Sequence, residues 1–190
     1  MKPFSPIILA CVLAITASAQ EAKTNAAPEL KKTATAVPAV TTPDIQTTGL
    51  SFPVSAGVIS APFVLTNEYL YQPAPQTGPT DGGKAIYSFT ITNAGNYVIH
   101  AVVIAPSEDS NSFYLNIDGS PEDPTMIWDI SVTNEFAERV VSWRGDGSDT
   151  DDQFVPKRFN LAPGPHKLII HGREPDVKLK TISIRPDTTK

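Results

Sequence analysis

Gly82–Asp118 reads GGKAIYSFTITNAGNYVIHAVVIAPSEDSNSFYLNID, and its spacing decides the fold. Tyr87, Phe89 and Ile91 fall on one side of a period-two alternation, with Ser88 and Thr90 on the other. Successive side chains leave a strand on opposite faces, so this pattern predicts a half-buried strand. Asn93-Ala94-Gly95-Asn96 supplies a tight turn. Tyr97–Ala105 is apolar at nearly every position except His100, as expected of a central strand covered on both faces. Phe113, Leu115 and Ile117 alternate again and stop at the turn Asp118-Gly119.

A second stretch, His171–Arg185 (HGREPDVKLKTISIR), reads as a polar corner running into a final strand. Between and around these stretches, Met126–Ile130, Arg139–Trp143, Arg158–Leu161, Lys167–His171 and Leu179–Arg185 are further short strand candidates. Ala162-Pro163-Gly164-Pro165 is the turn between two of them. The chain holds 18 prolines and 11 glycines, which break most helices, and no window of a dozen residues keeps a 3.6 period. Short strands separated by turn signals predict an all-β fold, an antiparallel β-sandwich of the jelly-roll kind. One domain of this type is expected from Ser51 to Asp187, with no internal repeat.

The residues before it read differently. Lys2 and the nine-residue apolar run Ile7–Ile15, followed by Ala17-Ser18-Ala19, predict a secretory signal peptide over residues 1–19. The run is shorter than the roughly 20 residues that span a bilayer, and no other apolar segment is long enough. Gln20–Leu50 is rich in Ala, Thr, Pro and Lys and holds no aromatic residue, so it reads as a flexible linker. Cys11 is the only cysteine and leaves with the signal, which excludes disulfides, thiol catalysis and cysteine-bound zinc in the mature chain. Lys2 leaves too, so 14 basic residues face 20 acidic ones for a mature net charge of −6. Without a basic stripe, nucleic acid is not an expected partner.

Several segments resemble the galactose-binding-like jelly rolls, in particular the carbohydrate-binding modules of families six and thirty-five. The likeness rests on Gly82-Gly83 before Ala85–Phe89, on Ala94-Gly95-Asn96-Tyr97, and on Ser110–Tyr114 leading to Ile117-Asp118-Gly119. It continues with Trp128, Trp143-Arg144, Leu161 with Gly164-Pro165-His166, and Arg173-Glu174 before Leu179 and Ile182. It covers about Gly57–Asp187, and it rests on the order and spacing of motifs that are individually unspecific. The resemblance implies a module that holds a glycan in a shallow cleft of loops at one end of the sandwich. It also implies a structural calcium. The segment matching the family's acidic strand is Ala56-Gly57-Val58-Ile59-Ser60, without an acid, and Lys180 stands where an aspartate is common. No calcium or other cofactor is therefore expected.

The ligand-binding candidates are Asn111, Trp128, Arg173, Glu174 and Tyr71. An amide such as Asn111 both donates to and accepts from a sugar hydroxyl, or else forms an Asx turn. An aromatic ring packs on the C–H face of a pyranose. Trp128 is open to that role or to a place in the core, and Trp143 reads as core. Tyr69 and Tyr71, in a proline-rich segment, suit a stacking platform or the cover of a sheet edge. Arg173 and Glu174 clamp a ligand or pair with one another. The acid-rich run Asp146–Asp152 reads as a solvated loop, since its spacing fits no EF-hand. No nucleophile motif accompanies His100, His166 or His171, and no Walker, dinucleotide or HExxH motif is present.

The expected function is that of a secreted or periplasmic, envelope-associated carbohydrate-binding module without catalytic activity. Its partners are a glycan or polysaccharide and a separate enzyme or envelope protein. The alternative is a structural or adhesion domain of the cell envelope that binds protein. A hydrolase would require a facing pair of carboxylates that nothing in the sequence selects.

Overall fold

The computed structural model describes residues 49–76 and 78–189. The expected signal peptide and the linker up to residue 48 lie outside them. Within them the chain is built of strands: β1 (Leu50–Pro53), β2 (Val58–Ser60), β3 (Val64–Leu65), β4 (Leu70–Tyr71), β5 (Lys84–Ile91), β6 (Gly95–Ala105), β7 (Ser112–Ile117), β8 (Ile127–Asp129), β9 (Thr133–Val140), β10 (Phe159–Leu161), β11 (Gly164–Gly172) and β12 (Lys178–Pro186). The only helical element among the described residues is a single 3-10 turn, Val54–Ala56.

All pairings are antiparallel and form two sheets, the β-sandwich that the alternation predicts. The first runs β10-β6-β12-β4-β3, with β1 added beside β12 and β9 beside β6; the second runs β2-β5-β11-β7-β8. The inner faces meet in one core. Ala85, Tyr87, Phe89 and Ile91 of β5 and Phe113 and Leu115 of β7 come from the second sheet; Ile99, Ala101 and Val103 of β6 and Leu179, Ile182 and Ile184 of β12 come from the first. Burying each large side chain is worth about 1.5–3 kcal/mol, which is how a domain without disulfides holds together.

The structure departs from the sequence reading in places. Leu50, the last residue assigned to the linker, pairs with Ile184 in β1. β9 begins at Thr133 rather than Arg139 and ends before Trp143. It is a polar edge strand with no buried position, so the apolar pattern that marks the others is missing. β6 lies centrally, but only its inner face is fully covered: His100, Val102 and Ile104 on the outer face are half-buried.

The two ends of the sandwich differ. At one, β5 turns into β6 through Thr92-Asn93-Ala94, and β10 into β11 through Ala162-Pro163. At the other, longer segments gather: residues 72–76 and 78–83 before β5, 106–111 between β6 and β7, and 173–177 between β11 and β12.

Candidate ligand-binding site

At the long-segment end, register does the assembling. β7 and β11 are neighbours with Gly172 opposite Phe113, so the residues before β7 meet those after β11. Glu174 Oε2 accepts the Asn111 backbone N–H at 2.8 Å, joining positions 63 residues apart. Arg173 donates from Nη1 to Ser112 Oγ at 2.6 Å and also to Glu174 Oε1. Asn111 Nδ2 donates to Glu108 Oε2 at 2.9 Å, and the Asn111 carbonyl accepts the Ile130 N–H at 2.8 Å.

A second ion pair extends this corner. Arg144 grips Asp129 with two parallel bonds, Nε to Oδ2 at 2.6 Å and Nη2 to Oδ1 at 2.9 Å, and the Asp129 side chain is buried. The fork geometry is the strong form of a charged hydrogen bond. It raises the Arg144 pKa, chiefly through the bond to Asp129, with Asp149 and Glu174 adding more distant negative charge. The Tyr114 hydroxyl is pushed above its ordinary value by burial and then by Asp123, against the opposing charge of Arg173. Opposite charges thus pair off across the corner, as buried ionic groups require.

The segment 72–83 is tied to the same corner by an uncharged amide. Gln72 is fully buried; its Oε1 accepts the Gly83 N–H at 2.8 Å and its Nε2 donates to the Ala74 carbonyl at 2.7 Å. Its own carbonyl accepts the Asp176 N–H at 2.8 Å, while Gln76 N–H donates to the Arg173 carbonyl at 2.8 Å. A Cβ on Gly172 would run into the Gln72 amide, and one on Gly83 into Phe63. His171 closes the segment by donating from Nδ1 to the Pro79 carbonyl, while its Nε2 is buried without a partner. Burial pushes the His171 pKa down and Lys84 adds to the effect, against the Pro79 bond.

Three of the five sequence candidates, Asn111, Arg173 and Glu174, therefore share one network. Trp128 does not join it and is corrected to the core: it is fully buried, pairs with Phe113 across β7 and β8, and donates its Nε1–H to the Val140 carbonyl at 3.0 Å. The reason is that β8 offers no exposed position: Ile127, Trp128 and Asp129 are all buried, and the Trp128 ring lies 6.1 Å from that of Phe113. Tyr71 belongs to the first sheet, in β4, where its ring meets Tyr69 at 5.8 Å between centroids. Trp143 is half-buried against the core, with its Nε1–H on the Leu115 carbonyl at 2.8 Å and Lys157 Nζ 4.0 Å from its ring centre. Sequence reading missed Glu108, Gln72, Asp129 and Arg144 as members of the corner. Only the run Trp143-Arg144 carried a signal, and it pointed to the tryptophan.

The calcium that the family resemblance implies does not fit these residues. Residues 56–60 offer no carboxylate, with Val58 pointing to solvent, and the Lys180 ammonium rests on the Phe136 ring at 4.9 Å. Among the described residues no group of three or more His, Cys, Asp or Glu side chains is arranged to hold a metal.

Neither a protein-family model nor a curated protein matches this chain. Solved structures do match. A family 35 carbohydrate-binding module from Clostridium thermocellum superposes with a TM-score of 0.52 at 9% identity, over 74% of this chain and 99% of that one. An exo-β-1,3-galactanase from Phanerochaete chrysosporium matches with a TM-score of 0.51 at 12% identity, over 72% of this chain and 29% of the enzyme. A family 26 β-(1,4)-mannanase from Podospora anserina that includes a family 35 module gives 0.51 at 8% identity, over 75% and 28%. The chain thus spans less than a third of either enzyme but almost all of the isolated module. At these identities the likeness establishes the fold, a jelly roll like that of the carbohydrate-binding modules.

Proposed function

We propose that this protein is a non-catalytic carbohydrate-binding module that takes a glycan at the long-segment end of the sandwich, exported and tethered through its N-terminal linker. The observation that carries the proposal is the convergence there of Asn111, Arg173 and Glu174, brought together from distant positions by strand register. Amide, guanidinium and carboxylate side by side supply the donors and acceptors that sugar hydroxyls need. The match to an isolated module over nearly its whole length supports the same reading.

Binding without bond cleavage suits the carboxylates at the corner. Glu174 accepts from Asn111 and Arg173, Asp129 is held by Arg144, and Glu108 accepts from the Asn111 amide. A glycosidase needs one such group free to ionise and a second free to protonate the leaving oxygen. The purified protein applied to a glycan array tests the proposal. Retention of a defined set of saccharides, weakened by Glu174→Gln, is the expected result. Absence of retention on every saccharide would overturn it.

A further inference from the structure

A different surface carries chemistry that the corner does not use. On the outer face of the first sheet, three aromatic rings form a strip. Tyr71 meets Tyr69 at 5.8 Å, and Tyr69 meets Phe136 of β9 at 6.1 Å, so the strip reaches from β4 on one side of β12 and β6 to β9 on the other. All three are half-buried, leaving ring surface open to solvent. Two ammonium groups of β12 sit on this strip: Lys178 Nζ is 5.2 Å from the Tyr69 ring centre and Lys180 Nζ is 4.9 Å from that of Phe136.

Those two lysines lack an acidic partner. Among the described residues every ion pair involves other groups: Glu138, on the neighbouring β9, is taken up by Arg185 at 2.6 Å and by His100 at 3.3 Å. Arg185 accordingly holds the Glu138 pKa below its ordinary value. Two uncompensated cations held against aromatic faces, on a chain whose net charge is −5, mark a local reversal of sign. A cation–π contact places each ammonium but leaves its N–H donors for an anion.

We infer that this face is a second binding surface, for an anionic polysaccharide: its sugar rings pack on the Tyr69–Phe136 strip and its carboxylates or sulfates pair with Lys178 and Lys180. The inference rests on the reading of the domain as glycan-binding but places this ligand on the sheet, away from the Asn111 network. The charged substituent selects the ligand, because a neutral sugar would leave both ammonium groups unpaired at the contact. Aromatic packing supplies the contact area and the two charge pairs supply the specificity.

The test is affinity electrophoresis of the full chain through gels holding polygalacturonate, dextran sulfate or neutral dextran. Wild type should be retarded by one or both anionic polymers and not by neutral dextran; the polymer that retards it tells carboxylate from sulfate. Lys178→Gln with Lys180→Gln, which keeps the aliphatic stems, should weaken retardation about tenfold. Arginine at both positions should preserve it, and added salt should reduce it. Tyr69→Leu should weaken it, whereas Asn111→Ala should not, which separates this surface from the corner. Equal loss on Lys167→Gln, an exposed lysine of the second sheet, would overturn the inference as unspecific charge attraction. So would retardation by neutral dextran, retention unchanged in the glutamine double variant, or no retention on either anionic polymer.

Discussion

His166 and His171 stand at opposite ends of one strand, β11, and their surroundings push them in opposite directions. His166, at the short-turn end, faces two acceptors: the Ala162 carbonyl at 2.8 Å from Nε2 and Asp118 Oδ2 at 2.6 Å from Nδ1. With an acceptor at each nitrogen, the imidazolium is favoured and the pKa rises, first through Ala162 and then through Asp118. His171, at the long-segment end, has one acceptor and one buried, unpartnered nitrogen, so the neutral ring is favoured. One end is clasped by charge. The other is clasped by neutral groups, His171 and Gln72, around the charged corner of Arg173 and Glu174. At the end proposed to take a glycan, His171 and Gln72 hold the backbone through uncharged groups, and the Arg173–Glu174 pair stays half-buried beside the buried Asn111.

The core that both ends share gives the largest effect. Trp128→Ala should destabilise the domain by about 3–5 kcal/mol, because it empties a fully buried site. Trp143→Ala should cost clearly less, since its side chain is only half-buried, with the Lys157 ammonium over its ring. Denaturant unfolding of both variants measures the difference, and equal losses would show that the ring of Trp143 is as enclosed as that of Trp128.

Gln72→Leu comes next and bears on the contrast directly. Leaving the Gly83 N–H and its neighbours without the buried amide should cost about 1–3 kcal/mol. The loss should be local: hydrogen exchange should accelerate at Gly83 and Asp176 and stay unchanged at Lys167, whose N–H is held by Asp118 at 2.9 Å. Uniform acceleration at both ends would mean that the ends are not separately latched.

Much of the frame was legible in the sequence. β5 and β7 were written in their alternation, and the turn at Asn93–Asn96 in its residue types. The short strands β2, β3 and β4 were not, because two or three residues are too few to display a period. β9 escaped because an edge strand with a solvated face carries no apolar signal. Of the candidate site residues, Asn111, Arg173 and Glu174 lie beside strand ends, and register brings them into one hydrogen-bond network. Trp128 stayed open between ligand contact and core, because all three residues of β8 are buried and no alternation marks which face each side chain takes. Gln72 was invisible: a glutamine in a proline-rich segment shows nothing of its burial until Gly83 and Asp176 are brought against it.

Acid and base should act on the two ends differently. His171 has a lowered folded pKa, so its contribution to stability is complete above about 6.5 and is lost as pH falls through the lowered value. His166 has a raised one, so its contribution is complete below about 6.5 and is lost as pH rises through the raised value. In melting curves across this range, His171→Gln should flatten the acid-side fall and His166→Gln the alkaline-side fall. Identical pH profiles for the two variants would remove the contrast. A smaller effect still is expected from chelation: excess EDTA should leave the melting temperature nearly unchanged, and a large drop would reveal a metal site.

The assignment of ligand binding to the long-segment end is tested most directly by calorimetric titration with a glycan retained on the array, comparing Asn111→Ala with Asp118→Ala at the opposite end. The account predicts about tenfold weaker binding for Asn111→Ala, the loss of one or two hydrogen bonds, and unchanged binding for Asp118→Ala, with both proteins folded by circular dichroism. Unchanged binding in Asn111→Ala, or equal weakening in the two variants, would contradict it.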